Sequence, residues 1–332
     1  MTEKKQRPTL KTIAQMTGLA VPTVSRALSG AEDIGKVTRA RVQQVAKEIG
    51  YVPNRAGVRL RTGRTHVVTM VLSTEVDVMN LTARLINSVA AGLRDTRYSL
   101  TITPYFPDED PMKPVERIVE SGTADAVILN QIQPEDPRVA FLMARRLPFA
   151  THGRTKWAER HDYVDFDNSM FAQIAVERMA ARGRKSLLML APPQTQFYAQ
   201  EMIRGATETA AASGLDFAVV ADATSDAPSD QIEAAVTNHL RAHPQVDGII
   251  CASSASCMAT VSAVEATGAR VAEQIDLYAK EPVPFLTRFR PGILTQFEDA
   301  RTAGLFLAKA VVRRIEDPTA PFMQKLEVPL KP

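Results

Sequence analysis

Apolar positions at helical spacing open the chain. Leu10, Ile13, Ala14 and Met16 predict a short helix with Thr9 as its N-cap and Gly18 as its stop. After a three-residue turn, Val21, Val24, Ala27 and Leu28 form the apolar face of a second helix, Val21–Leu28. Its Pro22 is tolerated only in a first turn, where the missing N–H costs nothing, so the helix must begin at about Val21. Pro22, Thr23, Ser25 and Arg26, small or basic, fall on the outward face. Val42, Val45, Ala46 and Ile49 predict a third helix, from about Thr38 to Ile49, closed by Gly50. Three short helices with a glycine in the first turn form a helix-turn-helix.

From His66 onward the pattern changes to short β-rich runs alternating with helical stretches. Val67–Leu72, Ser99–Thr103, Ala126–Asn130 and Phe149–Thr151 predict strands, separated by helices near Asn80–Thr96, Pro114–Ser121 and Pro137–Arg145. Tyr163–Phe166, Ser186–Ala191, Phe217–Ala221, Gly248–Cys251 and Asp276–Tyr278 continue the series, with helices predicted near Met170–Arg182, Glu201–Ser213, Ser229–Ala242 and Cys257–Gly268. Repeated strand-helix units with continuous apolar strands predict an α/β fold, parallel sheets carrying helices on both faces, behind the amino-terminal three-helix module.

Composition narrows the function. A chain of 332 residues suggests about two domains, and 45% apolar with 23% charged residues excludes disordered and collagen-like classes. Cys251 and Cys257 make no CxxC pair, which argues against a disulfide scaffold and for a reducing compartment. No apolar run approaches the ~20 residues of a membrane span, and the start MTEKKQRPTL lacks a signal peptide's apolar stretch, so a cytoplasmic protein without membrane association is expected. The net charge of +3 hides an asymmetry: residues 1–64 hold 13 Lys/Arg against 4 Asp/Glu, a net +9, while residues 65–332 hold 27 against 33, a net −6. A small basic head on a large acidic body is the footprint of a nucleic-acid-binding module joined to something else.

Enzyme and cofactor motifs fare worse. Gly30-Ala-Glu-Asp-Ile-Gly35-Lys36-Val37 matches a phosphate loop except at Val37, but a helix precedes it where a strand is needed, so it reads as a connector. No GxG, GxSxG or HExxH pattern occurs, and His66, His152, His161, His239 and His243 do not fall at metal spacing. His239 and His243 stand one turn apart where Pro244 suggests a helix end, and capping of the helix dipole accounts for them. No cofactor, metal or catalytic activity is expected.

The strings LKTIAQMTGLAVPTVSRALSG and TRARVQQVAKEIGYVPNRAGVRLRTG resemble the amino-terminal module of the LacI/GalR family of bacterial transcription regulators. The resemblance implies a recognition helix at Val21–Leu28, with Val21, Pro22 and Arg26 toward base edges in the major groove and Thr23 and Ser25 near phosphates. Thr9, Asn54, Arg55 and Arg59 complete the implied DNA-binding set, and residues 53–64 correspond to a hinge helix that folds on DNA and pushes Leu60 into the minor groove. Two departures stand out: Ala20 replaces the usual capping Ser, and Pro22 reads a base only by apolar contact or shape. Gly57, where alanine is common, costs the hinge helix about 1 kcal/mol.

The body is similar to the family's effector domain, which looks like a periplasmic sugar-binding protein: two α/β subdomains joined by three crossovers, with a ligand cleft between them. The expected boundaries are 1–52 for the head, 53–64 for the hinge and 65–332 for the body, with one subdomain at 65–162 and 291–320 and the other at 163–290 and 321–332. Ligands of open α/β sheets sit beyond the carboxyl ends of strands, which points to Ser73, Met79, Asp167, Gln194–Tyr198 (Gln196 and Tyr198 among them), Ser253 and Glu281. Met202 stands where sugar-binding members often carry an arginine, three residues before Gly205, and Lys280 precedes Glu281 in place of an aromatic residue. Loss of an arginine that grips hydroxyls and gain of a lysine suggest an anionic effector such as a sugar phosphate or acid. The resemblance implies a homodimer on a palindromic double-stranded operator, repressing carbohydrate or central carbon metabolism genes under control of a small metabolite. Two rivals, an exported solute-binding protein and a metabolic enzyme, leave the basic head unexplained.

Overall fold

The computed structural model describes residues 8–52, 63–74, 81–106 and 108–330. The expectations placed on Asn54, Arg55, Gly57, Arg59, Leu60 and Met79 therefore lie outside the described residues. The chain divides into two compact units between Thr65 and His66.

In the first unit, α1 (Leu10–Thr17), α2 (Val21–Leu28) and α3 (Lys36–Glu48) enclose a small core of Ile13, Ala14, Val24, Ala27, Val42 and Ala46. Thr9 caps α1 by accepting from the Thr12 N–H, and the Thr9 N–H donates back to the Thr12 hydroxyl at 3.1 Å. Gly18, at φ 67°, ends the helix in the left-handed conformation that glycine adopts without steric cost. Two details differ from the sequence pattern. Met16 is 52% exposed, and Thr17 takes the inner position because its hydroxyl donates to the Ile13 carbonyl at 2.7 Å. The third helix starts two residues early, at Lys36, with the Gly35 carbonyl accepting the Arg39 N–H at 3.0 Å.

The second unit carries two parallel sheets. The first holds β1 (Val67–Ser73), β2 (Ser99–Tyr105), β3 (Ala126–Leu129), β4 (Phe149–His152), β5 (Asp162–Phe166) and β11 (Gln324–Glu327), in the order β11-β5-β4-β3-β1-β2. The second holds β6 (Ser186–Leu190), β7 (Asp216–Val219), β8 (Gly248–Cys251), β9 (Asp276–Glu281) and β10 (Leu294–Phe297), in the order β10-β9-β8-β6-β7. Central strands β1, β3, β6 and β8 are buried nearly throughout, as helix-covered parallel strands must be. Around the first sheet lie α4 (Leu81–Leu93), α5 (Met112–Ser121), α6 (Pro137–Arg145) and α12 (Ala300–Glu316). The second sheet carries α7 (Asn168–Ala181), α8 (Phe197–Ala212), α9 (Ser229–Ala242), α10 (Ser254–Ala266) and the single-turn α11 (Leu286–Phe289). Glycine allows two close helix approaches: a Cβ on Gly205 would lie 2.5 Å from the Ser169 carbonyl oxygen, and one on Gly304 2.5 Å from the Ser88 Cβ.

The first two crossovers lie later than 162 and 290, and among the described residues the chain does not pass to the second sheet at 320. Asp162–Phe166 pairs with β4 in the first sheet, so the chain leaves that sheet at Asp167. Leu294–Phe297 pairs with β9 in the second sheet, which puts the return at Glu298 and Asp299. Gln324–Glu327, assigned above to the second subdomain, pairs with β5 in the first, Gln324 opposite Tyr163. Each strand stays with the sheet that completes its hydrogen bonds, and the crossing falls to the polar residues after it.

Candidate functional site

On α2, Val24 and Ala27 are buried, Val21, Thr23 and Ser25 are half-buried, and Pro22 and Arg26 are exposed. Pro22 sits in the first turn, and Ala20 at the N-cap makes no side-chain cap bond. The face opposite the core therefore presents the proline ring, two hydroxyls and one guanidinium. The Arg26 Nη2 lies 2.6 Å from Asp33 Oδ2. Thr9 is exposed, and its hydroxyl oxygen accepts as the cap of α1. The Gly30–Val37 segment joins α2 directly to α3 and has no preceding strand, so the phosphate-loop reading has no structural support.

In the second unit a cleft of about 840 Å³ of empty space, its open mouth included, lies between the carboxyl ends of the two sheets. Asn130 and Gln131 after β3, His152 and Gly153 at the end of β4, and Asp165 of β5 form one wall. Asn168, Tyr198, Asp226, Ser253 and Lys280 form the other, with Glu298 at the crossover. Of the residues named from sequence, Tyr198, Ser253 and Lys280 line this space. Gln196 is buried just behind it and its Oε1 has no hydrogen-bond partner.

Four others are placed elsewhere. Met202 is fully buried in the core under the second sheet, as an apolar side chain on the inner face of α8 should be. Glu281 accepts the Phe285 and Leu286 N–H groups at 3.0 and 2.9 Å and so caps α11. Asp167 caps α7 through the Met170 N–H at 2.9 Å. Ser73 is buried at the end of β1 and is not among the described residues that line the cleft. Asn130 and His152 were missed, although both stand at or just past strand ends, where the rule that found Ser253 applies equally.

Lys280 is not a free cation. Its Nζ lies 3.0 Å from Glu298 Oε2, donates to Asn168 Oδ1 at 3.0 Å, and sits 5.1 and 5.5 Å from the ring centres of Phe166 and Tyr198. Asp165 accepts from Arg154 Nε at 2.7 Å, yet burial pushes its carboxyl up to about 6. Burial also raises Asp226, and desolvation lowers His152, which favours the neutral imidazole. The lining thus holds three carboxyl groups against one already paired lysine, which removes the ground for an anionic effector.

Two further features shape the walls. The Arg138 Nη2 donates to the carbonyls of Asn130 and Gln131 at 3.1 and 2.9 Å and to Asp136 Oδ2 at 2.7 Å, holding an elbow where Gln131 has φ 50°. In that elbow the Asn130 Oδ1 is buried without a hydrogen-bond partner, and an acceptor of that kind calls for a donor from whatever fills the cleft. Across the rim the Phe197 N–H donates to the Ile132 carbonyl at 2.8 Å, and Arg154 Nη2 lies 3.6 Å from Glu201 Oε2.

Comparison with known proteins places this geometry. The family model "Bacterial regulatory proteins, lacI family" matches residues 9–54, and that for "Periplasmic binding protein domain" matches residues 112–279. The chain belongs to the LacI family. As a LacI-family regulator it is 27% identical over 309 residues to the HTH-type transcriptional regulator AglR of Rhizobium meliloti (strain 1021), covering 91% of this chain and 86% of that protein. The solved complex of the transcriptional regulator CelR with cellobiose is 25% identical, with a TM-score of 0.71 over 98% of each chain. The lac repressor dimer bound to operator and anti-inducer shares the fold, at a TM-score of 0.83 and 15% identity over 98% of this chain and 97% of that one. Among the described residues no helix is long and apolar enough to cross a membrane.

Proposed function

We propose that this LacI-family regulator is a cytoplasmic homodimer that represses carbohydrate genes by binding a near-palindromic double-stranded operator, and that a small uncharged polyhydroxylated effector in the cleft releases it. The exposed face of α2 carries the first part: a proline ring, two hydroxyls and a guanidinium on a short helix packed in a basic three-helix head suit a major groove. Pro22 and Arg26 read base edges from the exposed face, with Val21, half-buried against the head core, reaching them only from its rim, and Thr23, Ser25, Thr9, Asn54, Arg55 and Arg59 position the head along phosphates. Leu60 wedges the minor groove at the operator centre, and its insertion is repaid by the contacts of a bent duplex.

The effector class rests on the acceptors around the cleft. Asn130 Oδ1 and Gln196 Oε1 are buried and unpartnered, Asp226 and Asp165 are carboxyl acceptors, and Tyr198 presents a ring. Sugar hydroxyls are donors that such a lining satisfies without an added charge, and the cellobiose complex of CelR supports the same class. Coupling between effector and DNA is of the usual 1–3 kcal/mol and reciprocal. Two measurements test the reading. Selection from random duplexes by the full chain should return a two-fold symmetric site. Calorimetry should show heat with neutral mono- and disaccharides and none with their phosphates, whereas binding of phosphates alone would refute the uncharged class.

A further inference from the structure

Arg26 is the single cation of α2, and it does not stand alone. Its Nη2 meets Asp33 Oδ2 at 2.6 Å, with side chains 58% and 50% exposed. Asp33 lies in the connector between α2 and α3, and that connector is pinned. The Ala31 N–H donates to the Arg26 carbonyl at 3.1 Å and the Ile34 N–H to the Ala31 carbonyl at 3.2 Å. Arg39 Nη2 donates to the carbonyls of Ala31 and Ile34 at 2.7 and 3.2 Å, and Ile34 packs on the head core. The carboxylate is therefore presented from a fixed backbone, while Arg26 is a long side chain with many rotamers.

We propose that Asp33 is a specificity-determining residue of the DNA-reading surface: it holds the Arg26 guanidinium in one orientation for a base edge, while its own charge weakens binding to every other sequence. The proposal rests on the DNA-binding reading above. A guanidinium has five N–H donors, and one spent on Asp33 leaves four, enough for a two-bond contact with a guanine edge. A planar fork held at one corner loses less freedom on docking than a free one. An exposed pair of this kind contributes little to stability, so its effect falls on recognition. A carboxylate beside the phosphate backbone repels all DNA alike, and only the correct base offsets that repulsion through Arg26.

The test uses the full chain as wild type, Asp33→Asn, Asp33→Ala, Arg26→Ala and the Arg26→Ala/Asp33→Asn double variant. Each selects from a pool of random duplexes, and each is titrated with one fixed random-sequence duplex at several salt concentrations. Arg26→Ala identifies the half-site position read by that side chain, where a two-bond contact gives roughly 5- to 150-fold discrimination. Both Asp33 variants are expected to lose at least about threefold of the preference at that position and to bind the random duplex about two- to fivefold more tightly at low salt. In the Arg26→Ala background Asp33→Asn should change no base preference. Asp33 is outside the head core and Asn is isosteric, so circular dichroism melts should stay near wild type. Wild-type preference retained at that position by both Asp33 variants overturns the proposal, even if random-duplex affinity rises, because Asp33 is then a surface charge alone. A wild-type chain that selects no sequence at all overturns the DNA-binding reading itself, a separate result.

Discussion

Replacing Lys280 by methionine should destabilise the second unit strongly, and replacing Glu298 by glutamine as well should restore most of the loss. The two charged side chains are 8% and 6% exposed and lie 3.0 Å apart, Lys280 on β9 and Glu298 at the crossover that follows β10. Removing one partner of such a pair leaves an uncompensated buried charge, at about 3–5 kcal/mol. Removing both leaves two nearly neutral groups of similar volume, so the double variant should come within about 1–2 kcal/mol of wild type, the remainder reflecting the lost bond from Lys280 to Asn168 Oδ1. The coupling energy should therefore exceed about 1.5 kcal/mol, within the range of directly interacting neighbours. Urea unfolding followed by tryptophan emission isolates this effect, because Trp157 is the single tryptophan of the chain and sits in the second unit beside the core of its first sheet. With a slope of about 3 kcal/mol per molar urea, the single variant's midpoint should fall by 1 M or more. If Lys280→Met costs less than about 1 kcal/mol, or if the two changes simply add, Glu298 does not neutralise the lysine, and an anionic effector regains its basis.

The remaining expectations concern pH, capping and the hinge. Asp165 is raised to about 6 in the folded protein from an ordinary 3.8, so folding takes up a proton between those values and stability falls as pH rises from about 4 to about 6. That contribution is about 3 kcal/mol, and Asp165→Asn should flatten the pH dependence of the urea midpoint by that order; an unchanged profile would refute the burial argument. Ala20→Ser, at an N-cap of φ −66° and ψ 144° with no side-chain bond, should stabilise the head by about 1 kcal/mol and raise its melting temperature by several degrees in a calorimetric scan. If Leu60 enters the minor groove as proposed, Leu60→Ala should weaken binding to the selected operator far more than binding to random duplex in filter-binding titrations, since a wedge acts only where the duplex is bent.

What the sequence disclosed and what it hid divide along the range of the forces involved. α2 is found at Val21–Leu28 as expected, because Pro22 and Gly18 act within one turn of chain. α3 was placed two residues late because Gly35 has no side chain to announce a cap. The strand-helix alternation of the body was legible, but both sheets are written in the same pattern, so nothing in the residues before Asp162 or Leu294 says which sheet receives the next strand. The cleft divides the same way. Tyr198 and Ser253 lie in the segments that follow strands, where the carboxyl-end rule finds them, whereas Asp165 lies within β5, one residue before its end, and lines the cleft with its carboxylate held by Arg154. Lys280 is the clearest case. Read along the chain it is an added positive charge, and an anionic ligand follows; folded, it faces Glu298, which arrives by way of β10 and the second crossover. A charge in a sequence predicts a ligand of opposite sign only when no other strand of the same chain supplies the counter-charge. In a two-sheet body where the crossover after β10 brings Glu298 into the cleft, that condition is decided by the topology and not by the residue.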